Sequence, residues 1–172
     1  MTIRKAELKD LEEMVAIYNY EVLNGVSTFD IKEKTTEDRL PWFNEHNRDN
    51  HPLIVAEEDG KTVGYACLSP YRYMEAYNTT VELSVYIAPD HRRFGIGRAL
   101  MDEILKYAYS NPNTHAVVSL ITNSNEASIN LHKEFGFEFC GKMREVGIKF
   151  GEYHDVSTYQ IISLRQCCEY IS

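Results

Sequence analysis

Val81-Glu-Leu-Ser-Val-Tyr-Ile-Ala-Pro-Asp-His-Arg-Arg-Phe-Gly-Ile-Gly-Arg-Ala-Leu100 runs from an apolar stretch, through a basic loop with two glycines, into a segment of helical spacing. Val81 to Ala88 has the β-branched and aromatic content of a strand and stops at Pro89. Leu100, Ile104, Leu105 and Ala108 fall on one side of a helix predicted from about Gly97 to Ser110. The intervening Arg92-x-x-Gly95-x-Gly97 lies where the first helical N–H groups lack an intrahelical partner and the dipole is positive, so an anion placed there is stabilised. Neither glycine presents a Cβ to that anion, and Arg92, Arg93 and Arg98 add positive charge. The loop predicts a diphosphate site. A P-loop would end in Gly-Lys-Ser/Thr, and a dinucleotide fingerprint would need Gly or Ala where Leu100 stands, so neither describes it. Two glycines after a strand would by themselves describe only an ordinary turn.

Upstream, a short strand is expected around Ile3. Asp10-Leu-Glu-Glu13 has the form of a capping box, and Leu11, Met14, Val15, Tyr18 and Val22 follow at helical spacing as far as Gly25. A second helix is predicted over Thr36 to Asn47, with Pro41 near its start. Leu53 to Glu58 and Thr62 to Leu68 read as a hairpin about Asp59-Gly60. Downstream, His115 to Ile121 reads as a strand and Asn125 to Phe135 as a helix ended by Gly136. Phe137 to Ile148 and Tyr153 to Ile162 read as an antiparallel pair about Gly151. Strands and helices alternate in the middle and hairpins flank them, which predicts an α/β fold with a mixed sheet.

A chain of 172 residues, 44% hydrophobic, supports one core, and the expectation is a single domain over residues 1–162 with a tail over 163–172. A net charge of −8 repels a phosphate backbone, so no nucleic-acid partner is expected. Neither a signal-peptide core nor a run of roughly 20 apolar residues is present, which predicts a cytoplasmic protein without a membrane partner. Cys67, Cys140, Cys167 and Cys168 lack metal-site spacing. Cys67 and Cys140 are expected to be buried thiols, and Cys167-Cys168 an adventitious pair in the tail.

The 81–100 segment, with Pro89 and its basic residues, resembles motif A of the GNAT acetyltransferases. Thr122-Asn-Ser-Asn125-Glu-Ala-Ser-Ile-Asn-Leu-His132-Lys-Glu-Phe-Gly-Phe137 is similar to that family's N-x-x-A-x-x-L-Y-x-x-x-G-F, with Ser128 in place of alanine and His132 in place of tyrosine. Histidine at that position looks like the phosphinothricin and methionine sulfoximine acetyltransferases. So do Val26-Ser-Thr-Phe29, Ala76-Tyr77 five residues before Glu82, Val81 to Tyr86, Ala127 to His132, and Gly147-Ile-Lys-Phe-Gly151 followed by His154-Asp-Val156. The likeness covers residue 2 to about 162 almost without insertion.

The resemblance implies a central mixed, mostly antiparallel, twisted sheet flanked by about four helices, with strands splayed at an acetyl-CoA site. It implies that Val85, Tyr86 and Ile87 pair with the pantetheine amides. Arg92, Arg93, Phe94, Gly95, Ile96, Gly97 and Arg98 would surround the pyrophosphate, and Asn125 would complete the cofactor side. Glu82 is implied as general base and His132 as proton or hydrogen-bond donor to the leaving sulfur, with no metal required. By residue type alone, Glu82 reads as a solvent-facing strand residue and His132 as a structural histidine. Phe29, Arg72 and Tyr77 are the expected acceptor residues, Arg72 offering a fork to a carboxylate or phosphinate.

The reaction implied is acetyl transfer from acetyl-CoA to the amine of a small amino-acid-like acceptor. A non-catalytic acetyl-CoA-binding module and a protein or peptide N-acetyltransferase stand as alternatives. Phosphinothricin acetyltransferases commonly carry a basic residue three positions before the tyrosine. Met74 stands there, which predicts a preference for a methionine sulfone or sulfoximine over phosphinothricin. A homodimer is expected by analogy.

Overall fold

The computed structural model describes residues 1–163. Of the expected tail over 163–172, residues 164–172, with the predicted Cys167-Cys168 pair, lie outside them. Strands β1 (Thr2–Lys5), β2 (Leu53–Glu58), β3 (Lys61–Pro70), β4 (Thr80–Ile87), β5 (Ala116–Thr122), β6 (Glu138–Lys149) and β7 (Glu152–Ile162) form one sheet of order β1-β2-β3-β4-β5-β7-β6. Every neighbouring pair is antiparallel except β4 and β5. Helices α1 (Leu11–Asn24) and α2 (Thr36–Asn44) precede β2, α3 (Ile96–Ser110) connects β4 to β5, and α4 (Glu126–Glu134) connects β5 to β6.

Strand alternation sorts the side chains into two layers. Leu100, Met101, Ile104 and Leu105 of α3 pack with Ile54, Ala66, Leu68, Val81, Leu83 and Val117 on one face. Met14 and Ile17 of α1, with Trp42 and Phe43 of α2, cover Leu53, Val55, Tyr65 and Cys67 on the other. Glu82, Ser84 and Tyr86 alternate with Val81, Leu83 and Val85, so they belong to the α1–α2 side. No helix among the described residues is long and apolar enough to cross a membrane.

Three local expectations need correction. Asp10 does not cap α1 together with Glu13. Its carboxylate turns back to accept from Glu7 N at 2.8 Å and from two Arg4 nitrogens at 2.7 Å each, while Glu13 accepts from Thr62 N at 2.5 Å. A 3₁₀ turn over Leu8–Asp10 leads straight into the helix, so Asp10 is already helical and cannot serve as its extended N-cap. Helix α2 ends at Asn44 rather than Asn47 and starts at a capping box of Thr35 with Asp38. Cys140 is exposed, because β6 is an edge strand, whereas Cys67 is buried and its thiol is pushed up to about 11 by burial.

Candidate active site

The defining feature follows from the register of the parallel pair. β4 and β5 pair only at Thr80, Val81 and Glu82 with Ala116, Val117 and Val118. Beyond that point β4 stays paired to β3 as far as Ile87, and β5 to β7 as far as Thr122. Each strand follows its outer neighbour, so the sheet opens into a V with Glu82 at the vertex. Beyond a single bond from Ser119 Oγ to Leu83 O at 3.4 Å, the main chain of Leu83 to Ile87 faces the gap with no strand paired to it, as does that of Ser119 to Thr122. A cleft of about 540 Å³ occupies the gap, closed at its sides by α1, the 25–27 loop and α4.

Of the predicted residues, Val85, Tyr86, Ile87, Arg92, Arg93, Asn125 and His132 line this cleft. At its mouth the chain curls through Arg93 at φ 69° and Gly95 at φ 82° into the start of α3. The left-handed region favours glycine, and a Cβ on Gly95 would meet nothing within 4 Å, so conformation is what asks for glycine there. Gly97 has a different reason from the one expected. A Cβ on it would lie 2.9 Å from Ile87 Cδ1 and 3.4 Å from Leu131 Cδ2, so its missing side chain makes room for protein, not for an anion.

The positive charge of the loop is also less free than the sequence suggests. Arg92 donates to Glu21 Oε1 at 2.5 Å, and Arg98 is paired with Glu134 of α4. Arg93 alone of the three has no ion-pair partner among the described residues. Phe94 is exposed on the loop, and Ile96 is buried in the core beside α3. Asn125 is the N-cap of α4, accepting from Ser128 N at 3.2 Å and donating to Ser27 Oγ at 3.2 Å.

His132 is buried, with Nδ1 2.8 Å from the carbonyl oxygen of Ser128 and its ring edge-on to Phe137. A carbonyl oxygen only accepts, so Nδ1 carries the hydrogen. In the neutral ring Nε2 is then a bare lone pair. Burial favours that neutral form and pulls the imidazole below its ordinary value, against the opposing effect of the Ser128 hydrogen bond. Nε2 is buried and has no hydrogen-bond partner among the described residues. Glu82 is half-buried, and burial raises its carboxyl above the usual range. Its side chain makes no hydrogen bond or ion pair with the described residues.

The three residues expected to hold the acceptor do not line the cleft. Phe29 lies over Gly147 of β6, where a Cβ would come within 2.3 Å of its ring, and beside His154 at 5.9 Å between centroids. Tyr77 meets Tyr71 edge-on at 5.7 Å, and the exposed Arg72 lies 5.0 Å from the Tyr71 ring and 5.9 Å from that of Tyr77. Arg72 and Tyr77 are thus brought together, and Phe29 belongs to a separate wall formed with the β6–β7 hairpin. Met74 is exposed at the entrance to the Glu75–Tyr77 turn.

Several lining residues had no sequence signal. Thr122 Oγ1 donates to Val26 O at 2.6 Å, which draws the 25–27 loop across the gap toward β5. Glu21 reads in the sequence as one more polar position of an amphipathic helix, yet it is buried in the cleft wall. An isolated glutamate facing inward after a tyrosine pair was the only available hint.

Known proteins bear on this site. Residues 3–157 match the family model described as Acetyltransferase (GNAT) domain. The L-methionine sulfoximine/L-methionine sulfone acetyltransferase of Salmonella typhimurium is 35% identical over 161 residues, covering 94% of each chain. The phosphinothricin N-acetyltransferase of Streptomyces coelicolor is 40% identical, covering 92% of this chain and 94% of that one. Among solved structures, yncA of Salmonella typhimurium with its cofactor acetyl-CoA superposes with a TM-score of 0.90 at 34% identity, over 94% of this chain and 93% of that chain.

Proposed function

The chain belongs to the GNAT acetyltransferase family, and on that premise we propose that it transfers acetyl from acetyl-CoA to the amine of a small amino-acid-like acceptor of the methionine sulfone, methionine sulfoximine or phosphinothricin type. The observation that carries the reading is the split between β4 and β5, with unpaired main chain on both sides and a buried, unpartnered imidazole nitrogen within it. These residues suit acetyl-CoA. The open edge at Val85 to Ile87 offers main-chain partners to pantetheine amides, and the N-terminus of α3 with Arg92 and Arg93 suits a diphosphate. Acetyl-CoA supplies the activated thioester carbonyl that the amine attacks.

The protein's own part is to handle two protons. Glu82, raised by burial, takes the first from the acceptor's ammonium group, directly or through water, which frees the amine. His132 takes the second at Nε2 as the new C–N bond forms. Because Nδ1–H is held by Ser128, Nε2 is the atom that gives this proton on to the departing sulfur. A donor role for His132 thus follows from its having first acted as an acceptor. Phe29, Arg72 and Tyr77 flank the acceptor, Arg72 as the cation for an acidic group.

We further propose that the enzyme is a cytoplasmic homodimer. Phe139, Met143, Val146, Ile148, Phe150 and Tyr153 of the β6–β7 hairpin are all exposed, an apolar surface of the kind covered by a second copy. The function is tested by thiol release from acetyl-CoA in an acceptor panel of methionine sulfone, methionine sulfoximine, phosphinothricin, methionine and short peptides. With Met74 in the acceptor loop, kcat/KM is expected to be highest for the sulfone or sulfoximine. Preferential turnover of peptides would refute the small-molecule reading, and acetyl-CoA binding without turnover of any amine would refute catalysis.

A further inference from the structure

We propose that Glu21 is a positioning residue for the co-substrate's diphosphate, holding Arg92 so that the unpaired edge of its guanidinium serves the ligand. This rests on the acetyl-CoA reading of the cleft. Both residues line that cleft, one from the end of α1 and the other from the loop before α3. The Arg92 Nη2–Glu21 Oε1 contact is 2.5 Å, and Nε and Nη2 lie a longer 3.4 Å from Ile87 O. The ring of Tyr20 lies 5.2 Å from the guanidinium carbon. Nη1 has no acceptor among the described residues. The side chain is therefore fixed through Nε and Nη2, and Nη1 is left to donate a charge-assisted hydrogen bond to a phosphate oxygen.

Relative burial decides which partner Arg92 keeps. Its side chain is 41% exposed, but that of Glu21 is only 7% exposed and cannot follow a departing cation into solvent. Stripping a buried carboxylate of its partner shifts an equilibrium by more than about a hundredfold. One charge-assisted hydrogen bond to a ligand returns roughly ten- to a hundredfold. Arg92 accordingly stays with Glu21, and the diphosphate meets Nη1.

The anchor behind Glu21 is itself fixed. Lys149 of β6 is buried and donates to Glu21 O at 2.9 Å and to Thr28 O at 2.8 Å, tying the last turn of α1 to the loop that follows. A Cβ on Gly25 would stand 1.9 Å from Glu21 Oε2, so glycine leaves the space into which this carboxylate is packed.

The test measures acetyl-CoA affinity by calorimetry and compares kcat/KM for acetyl-CoA and for acetyl-pantetheine, which lacks the diphosphate. Glu21→Ala is expected to raise the acetyl-CoA Kd about tenfold, and Gly25→Ala, which pushes the carboxylate aside, to act in the same direction. Glu21→Gln can still accept from Nη2 and should stay within about threefold of wild type. The loss in Glu21→Ala and Gly25→Ala should be several-fold larger in kcat/KM for acetyl-CoA than for acetyl-pantetheine. An unchanged or tighter Kd in Glu21→Ala overturns the proposal, as does an equal loss with acetyl-pantetheine, which would mark a purely structural role. An unchanged Kd in Arg92→Ala would overturn the proposal together with the placement of the diphosphate. Failure of the wild-type protein to bind acetyl-CoA would remove the functional reading on which both stand.

Discussion

Glu82 and His132, the two residues of the proposed proton scheme, differ in how legible they are; His132 lines the cleft, and Glu82 stands at the vertex where the strands part. Glu82 was placed by its motif, and the register adds its reason: it is the last residue of β4 to pair with β5, at the point where the gap begins. His132 was also placed by motif, but its proton inventory depends on the Ser128 carbonyl, a tertiary detail that no spacing encodes. Both groups lose a proton as pH rises, Glu82 above the ordinary glutamate range and His132 below the ordinary histidine range. The scheme requires both in the deprotonated form, so kcat/KM should climb with pH along an acid limb, with no fall near neutrality due to His132. Glu82→Gln should cost about 100-fold at the low end of that limb and less as the free amine becomes abundant. His132→Phe should slow thiol release with acetyl-CoA affinity retained. Wild-type pH–rate profiles in both variants would contradict the scheme. Gly97→Glu brings a carboxylate to the helix start and a Cβ 2.9 Å from Ile87 Cδ1, and should abolish acetyl-CoA binding in calorimetry, whereas Gly97→Ala should retain most of it.

At the level of elements, α1, α3 and the central strands β2 to β5 were legible from apolar spacing, because each buries a face against a neighbour, whereas α2 and the edge strand β6 bury almost nothing and were marked by their residue types and bounding turns. What apolar spacing could not supply were the short 3₁₀ turns and the caps, which depend on where single polar side chains find partners. Asp10 is the clearest case. Burial alone would raise its carboxyl, but Arg4 and the Glu7 amide outweigh that and hold it below the usual range. A carboxyl depressed in the folded state adds stability above its unfolded value and loses it as pH falls through the folded one. Asp10→Asn should therefore lower unfolding free energy by roughly 2–3 kcal/mol near neutral pH, with the difference shrinking in acid. Chemical denaturation at several pH values measures this, and equal stability of the two proteins near neutrality would show the Arg4–Asp10–Glu57 network to be dispensable. The 71–77 turn was the least legible segment. Arg72 and Tyr77 face Tyr71 in an exposed turn, and aromatic neighbours of that kind follow no period.

For the whole molecule, the sequence carried the α/β architecture and the course of the chain, and the resemblance carried the split sheet. Neither composition nor periodicity marks the apolar surface of the β6–β7 hairpin, because an exposed apolar edge strand has the sequence pattern of a buried one. Ile148→Asp places a charge in the middle of that surface and should convert a dimer into a monomer in sedimentation or light scattering. A wild-type protein that is already monomeric at micromolar concentration would exclude the dimer.

The divergence of β4 from β5 has one further consequence. Within the sheet ladder, three residue pairs join a four-stranded half, β1 to β4, to a three-stranded half, β5 to β7. The gap-facing amides along 83–87 and 119–122 have no strand opposite them and should take up deuterium from heavy water within seconds, while the core amides of β2 and β3 stay protected far longer. A molecule seated in the gap would close those amides to exchange and bridge the two halves. The free protein is thus a sheet with a seam, and its co-substrate is the stitch.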